Sequence, residues 1–129
     1  MAAGEFSIGV IGCGKISGAY LETLRRLQDV RVTAAADLDP ARAARVQARY
    51  PEIAARSVDE LLSDPDIDLV LNLTVPAAHA EVATAALSSG KHVYGEKPLA
   101  ATLAGADAVL ALAATERLRV GCAPDTVLG

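Results

Sequence analysis

GVIGCGKISGAY, residues 9–20, sets four glycines, a lysine and a serine between an apolar run and a helical pattern. Two phosphate-binding patterns compete for it. G-x-x-x-x-G-K-[ST] is met by Gly9, Gly14 and Lys15, but Ile16 follows and has no hydroxyl for magnesium, and Gly9 falls inside the strand read at Phe6 to Ile11. G-x-G-x-x-G, placed directly after a first strand, is met by Gly12 and Gly14, with Ser17 at the third position. There Gly12 allows the tight turn and Gly14 lets the backbone approach a pyrophosphate with no Cβ in the way. The helix opening near Lys15 aims its free N–H groups and the positive end of its dipole at the phosphates. The third position serves close packing of helix on strand, which a serine also satisfies, and Gly18 is read as easing the same packing.

An ordinary strand-to-helix turn would account for two glycines, so the acidic residue decides the matter. Asp37 follows the second strand, Val30 to Ala36, 20 residues beyond Ser17. A carboxylate there accepts hydrogen bonds from both ribose hydroxyls of an adenosine and repels a 2′-phosphate, which favours NAD over NADP. Arg42 is the nearby residue able to soften that preference, because a guanidinium pairs with phosphate.

Outward from this turn, strand and helix alternate. Ile16, Tyr20, Leu24 and Leu27 recur at helical spacing; Asp39 and Pro40 read as N-cap and first residue of a second helix running to Tyr50. Ile53 to Ala55 is a short third strand, and Ser57 to Glu60 has the spacing of a capping box. Leu69 to Leu73 is a fourth strand, nearly continuous in its apolar character, as buried parallel strands are. A helix from Pro76 closes at Gly90, His92 to Tyr94 is a fifth strand, and a helix from Thr102 to Glu116 turns Leu103, Ala106, Val109, Leu110 and Ala113 inward before a sixth strand near Val120. Short connections and right-handed crossovers make this an α/β fold, a doubly wound Rossmann-type parallel sheet with helices on both faces.

The totals agree with one compact unit. The 129 residues are 52% apolar and 22% charged, with an aliphatic rather than aromatic core. The net charge of −4 is spread along the chain, so no footprint for nucleic acid is present, and no apolar stretch reaches the length of a membrane span or a signal peptide. The expectation is a cytoplasmic protein. Cys13 and Cys122 lie far apart outside any C-x-x-C spacing, which suggests two reduced thiols and no metal site.

In the second half, LVLNLTVPAAHA at residues 69–80 and GKHVYGEKPLA at residues 90–100 join the G-x-G-x-I loop and Asp37 in one order. The whole pattern closely resembles the Gfo/Idh/MocA family of NAD(P)-dependent oxidoreductases, and Glu-Lys-Pro after Gly-Lys-His-Val is its most specific piece. The resemblance implies that Ile16 packs near the dinucleotide, that Thr74 and Pro76 line the cofactor groove, that Glu96 approaches the nicotinamide ribose, and that Lys97 is the catalytic lysine. Val75 between Thr74 and Pro76, and Ala77 and Ala78 before His79, depart from the family pattern. It also implies a second α/β domain carrying the substrate pocket and homo-oligomer contacts. Residues 1–123 are then the dinucleotide-binding domain and 124–129 a stub leading toward that domain, so this chain by itself binds cofactor but turns over little.

The residues support part of this independently. Ligands of open α/β sheets bind outside the carboxyl ends of the strands, where Asn72, Thr74, Glu96 and Lys97 all fall. Hydride transfer from a hydroxyl-bearing carbon requires a base; Lys97 is the first choice, with Pro98 suggesting a cis bond, and His79, at a helix start, is the runner-up or a structural or cofactor-shielding histidine. The function read is the NAD-binding part of an oxidoreductase acting on a sugar, polyol or similar hydroxylated small molecule. The alternative is a stand-alone NAD(H)-sensing module.

Overall fold

The computed structural model describes residues 5–123; the stub expected at 124–129 lies outside the described residues. The elements are β1 (Phe6–Ile11), α1 (Ser17–Arg25), β2 (Val30–Ala36), α2 (Pro40–Arg49), β3 (Ala54–Ala55), α3 (Val58–Ser63), β4 (Leu69–Asn72), α4 (His79–Ser88), β5 (His92–Gly95), α5 (Leu103–Glu116) and β6 (Val120–Cys122), with a 3₁₀ turn at Pro76–Ala78 leading into α4. All pairings are parallel, and the strand order is β3-β2-β1-β4-β5-β6. The order reverses between β1 and β4, so the carboxyl edge of the sheet opens into a crevice there.

Two cores hold this sheet. Ile8, Val10, Ala35 and Leu71 face Leu21 of α1 and Ala43 and Val46 of α2. Ile11, Ala34, Val70 and Val93 face Leu61 of α3, Ala83, Ala86 and Leu87 of α4, and Val109 and Ala113 of α5. Gly9 belongs to the second packing: a Cβ there would stand 2.8 Å from Leu61 Cδ2, so the glycine that mimics a P-loop residue lets α3 close on the strand. The helix starts follow the sequence signals. Asp39 accepts from the N–H of Ala41 at 3.0 Å, and Ser57 and Glu60 form the reciprocal capping box.

Lys91 is a buried cation with a structural task. Its Nζ donates to the carbonyl oxygens of Asp64, at 2.5 Å, and Ile67, at 2.9 Å, both just past the end of α3, and burial pushes its pKa down. Carbonyl oxygens at and just beyond a helix C-terminus carry partial negative charge, which an ammonium satisfies.

Three expectations about helix faces fail. Leu21, not Ile16 or Leu27, is the fully buried anchor of α1, because the helix begins after Ile16 and ends before Leu27; those two are 44% and 51% exposed. Leu103 and Leu110 of α5 point outward, at 80% and 49% exposure, while Val109, Leu112 and Ala113 meet the core. An alanine-rich helix offers two apolar stripes of similar strength, and contact with α4 and the sheet chooses between them. Gly18 does not ease packing: it is exposed, and a Cβ there meets nothing within 4 Å.

Candidate functional site

The first β–α turn is built around Gly12. Its φ is +104°, and a Cβ would lie 2.6 Å from both the carbonyl carbon and oxygen of Leu73, so β1 and the exit of β4 meet with only a hydrogen between them. No L side chain fits that backbone or that space. Gly14 differs. A Cβ there would meet only Arg42, 3.9 Å away at Nη1, so the space above Gly14 is filled by no other part of the described protein. Ser17, buried at the helix start, donates from Oγ to the Gly14 carbonyl at 2.7 Å and thereby fixes the loop. Its hydroxyl does more than fit in place of glycine.

Asp37 stands beside this loop, as its position in the sequence predicts. Its Oδ2 accepts from the Cys13 N–H at 2.7 Å and its Oδ1 from the Asp39 N–H at 2.8 Å, so each carboxylate oxygen keeps acceptor capacity toward the crevice. The Cys13 amide is thus engaged by protein. Among the described residues nothing accepts from the N–H groups of Gly14, Lys15 or Ile16, which lead into α1. The Cys13 thiol, buried with its Sγ 3.4 Å from the Ala36 carbonyl, is pushed up to about 11, first by burial and then by Asp37. Lys15 and Ile16 are exposed on the loop, and Arg42 lies 4.0 Å from Asp39 through Nε.

The exits of β4 and β5 are tied together by side chains. Asn72, buried, donates from Nδ2 to the His79 carbonyl at 3.0 Å and accepts from the Thr74 hydroxyl at 2.6 Å and its N–H at 3.3 Å. The His79 ring is turned into the protein, 2% exposed, with Nε2 2.6 Å from the Thr74 carbonyl oxygen and Nδ1 against that of Pro98. Pro76 opens the 3₁₀ turn at the surface. Glu96 follows β5, its N–H donating to the Asn72 carbonyl at 3.1 Å; Lys97 comes next, exposed, and the Lys97–Pro98 bond is cis.

The crevice edge therefore carries Asp37, the glycine loop with Lys15 and Ile16, Thr74 and Pro76, then Glu96 and Lys97, in the spatial order β2, β1, β4, β5. His79 sits behind that edge rather than on it. Two residues outside the sequence reading join the site. Tyr20 of α1 donates its phenol O–H to Glu96 Oε2, and Cys13 supplies the amide that steadies Asp37. The signal for Tyr20 was its type: a half-buried phenol needs a hydrogen-bond partner, which an apolar helix stripe does not provide.

Among the described residues no group of three or more His, Cys, Asp or Glu side chains is placed to hold a metal ion, and no helix is long and apolar enough to cross a membrane.

Residues 6–123 match the family described as "Oxidoreductase family, NAD-binding Rossmann fold". The chain is similar to the dTDP-3,4-didehydro-2,6-dideoxy-alpha-D-glucose 3-reductase of Saccharopolyspora spinosa, 40% identical over 114 residues that cover 86% of this chain and 34% of that protein. It is 38% identical to the inositol 2-dehydrogenase of Ralstonia nicotianae over 108 residues, 81% of this chain and 32% of the relative. Its fold is similar to that of a 3-ketoreductase from Actinomadura kijaniata solved with TDP-benzene and NADP, with a TM-score of 0.84, 33% identity, and 92% of this chain and 37% of the other covered. The chain spans about a third of the length of the curated relatives it matches.

Proposed function

The chain belongs to the Gfo/Idh/MocA oxidoreductase family through its NAD-binding Rossmann domain, and on that premise we propose that it holds a nicotinamide dinucleotide for the oxidation of a sugar, polyol or similar hydroxylated substrate, or for the reverse reduction. The observation that carries the reading is the first turn: a Gly14 approached only by the Arg42 guanidinium, unengaged amides at 14–16 and an acidic acceptor alongside. Backbone donors at a helix start suit a pyrophosphate, and a pre-bonded Asp37 suits the adenosine ribose. The residues present therefore fit the group.

When bound, the nicotinamide supplies the hydride acceptor. The chain's own residues bind and orient. Gly12 shapes the turn, Gly14, Lys15 and Ile16 offer the pyrophosphate their amides, Thr74 and Pro76 line the groove, and Glu96 accepts from the second ribose. Lys97 is the catalytic residue, its Nζ taking the substrate hydroxyl proton on oxidation and returning it on reduction. His79, turned inward, holds the walls of the groove rather than acting as base. The substrate pocket and any homo-oligomer contacts are assigned to a further domain, and the protein to the cytoplasm.

Asp37 favours NAD over NADP because its charge opposes a 2′-phosphate. One observation favours acceptance of NADP as well: the Arg42 guanidinium reaches over Gly14 beside Asp37 and suits a phosphate. Calorimetric titration of the chain with NADH and NADPH tests both. NADH should bind more tightly, and Asp37→Asn should shrink the discrimination about tenfold. No binding of either would overturn the cofactor reading; tighter NADPH would overturn the role of Asp37.

A further inference from the structure

We propose that Tyr20 is a positioning residue for the nicotinamide half of the site, holding the Glu96 carboxylate so that its second oxygen faces the ribose there; this rests on the cofactor reading above. Tyr20 lies in the first turn of α1, three residues beyond the Ser17 that closes the glycine loop. From there its hydroxyl spans the crevice mouth, over the end of β4, to Glu96 at the end of β5. The contact engages Oε2 alone.

The surroundings keep this arrangement one-directional. Burial and the neighbouring Glu96 carboxylate both push the phenol's pKa up, so Tyr20 remains a donor and the carboxylate an acceptor. Glu96 is fixed at its backbone too: its N–H is bonded to Asn72, and its carbonyl oxygen lies 3.6 Å from the Cys122 thiol. With main chain and one oxygen held, the remaining oxygen has little freedom, which lowers the ordering cost of a ligand hydroxyl binding to it. A dinucleotide with its adenosine ribose at Asp37 and its pyrophosphate over β1 would meet Glu96 beyond β4, since the strands follow the order β2, β1, β4, β5. Tyr20 therefore joins the phosphate-holding helix to the Glu96-Lys97 turn.

The test is a ladder of ligands titrated into the wild-type chain and Tyr20→Phe: ADP, which lacks the second ribose, ADP-ribose, which has it, and NADH. Tyr20→Phe should leave the ADP Kd within about twofold and raise those of ADP-ribose and NADH about five- to tenfold, the scale of one ordinary hydrogen bond. The same loss should be largely absent when Tyr20→Phe is added to Glu96→Gln, since the tyrosine acts through that carboxylate. Equal weakening of all three ligands, no change in any, or additive effects of the two substitutions would overturn the proposal. Glu96→Asp, which draws the carboxylate back by one methylene, provides the same selective readout if Tyr20→Phe fails to fold. Failure of the wild-type chain to bind even ADP would instead overturn the underlying cofactor reading.

Discussion

The two halves of the carboxyl edge are built by different means. Over β1 and β2 the site is made of backbone: a glycine at φ +104°, exposed amides, and one carboxylate bonded to two further amides. Over β4 and β5 it is made of side chains, with Asn72, Thr74 and His79 bonded in series up to the carbonyl of Pro98. A backbone site tolerates few residue types but needs few of them, so a short motif announces it. A side-chain site depends on partners brought together by folding, and its motif can be recognised without its bonding being read.

If that contrast is right, the largest effect belongs to Gly12. Gly12→Ala forces a Cβ into the backbone of Leu73 at a positive φ, and should cost about 3–5 kcal/mol in urea unfolding, or abolish folding. A loss below about 1 kcal/mol would mean the turn relaxes and is not set by that contact.

His79→Ala comes next. It removes a buried ring spanning two carbonyl oxygens and should cost about 2–4 kcal/mol, read by the same unfolding curves. Because the ring joins the β4 and β5 exits without touching the glycine loop, ADP affinity at a temperature where the variant is folded should hold within about twofold. A large drop in ADP affinity would show that the two halves are one cooperative unit.

The smallest change to the fold sharpens the comparison most. Gly14→Ala meets only the Arg42 guanidinium, at an ordinary 3.9 Å, so stability should stay within about 0.5 kcal/mol of wild type, while NADH affinity falls at least about tenfold as the methyl enters the ligand's place. Unchanged NADH affinity would remove Gly14 from the site. The two glycines of one motif would thus separate, one answering to the fold and the other to the ligand.

The same division explains what could be read in advance. Element order and the sheet's class followed from periodicity, caps and glycine positions, which are local. The faces of α1 and α5 did not, because apolar residues at similar spacings left two stripes and packing chose one, burying Leu21 and leaving Leu103 exposed. GKHVYGEKP holds two lysines six residues apart; Pro98 marks Lys97, but nothing local marks Lys91 for burial. Lys91 is drawn into the protein by the carbonyls at the end of α3, while Lys97 emerges at the crevice edge.

By itself, then, the sequence determined the doubly wound sheet, the glycine turn after β1 and the place of Asp37, because each rests on backbone conformations that only certain residues adopt within a few positions of one another. Tertiary structure alone decided that Tyr20 reaches Glu96, that Asp37 clasps the Cys13 amide, and that His79 faces inward. Those contacts join residues 76, 24 and 19 positions apart, and their formation depends on which elements the crossovers bring together.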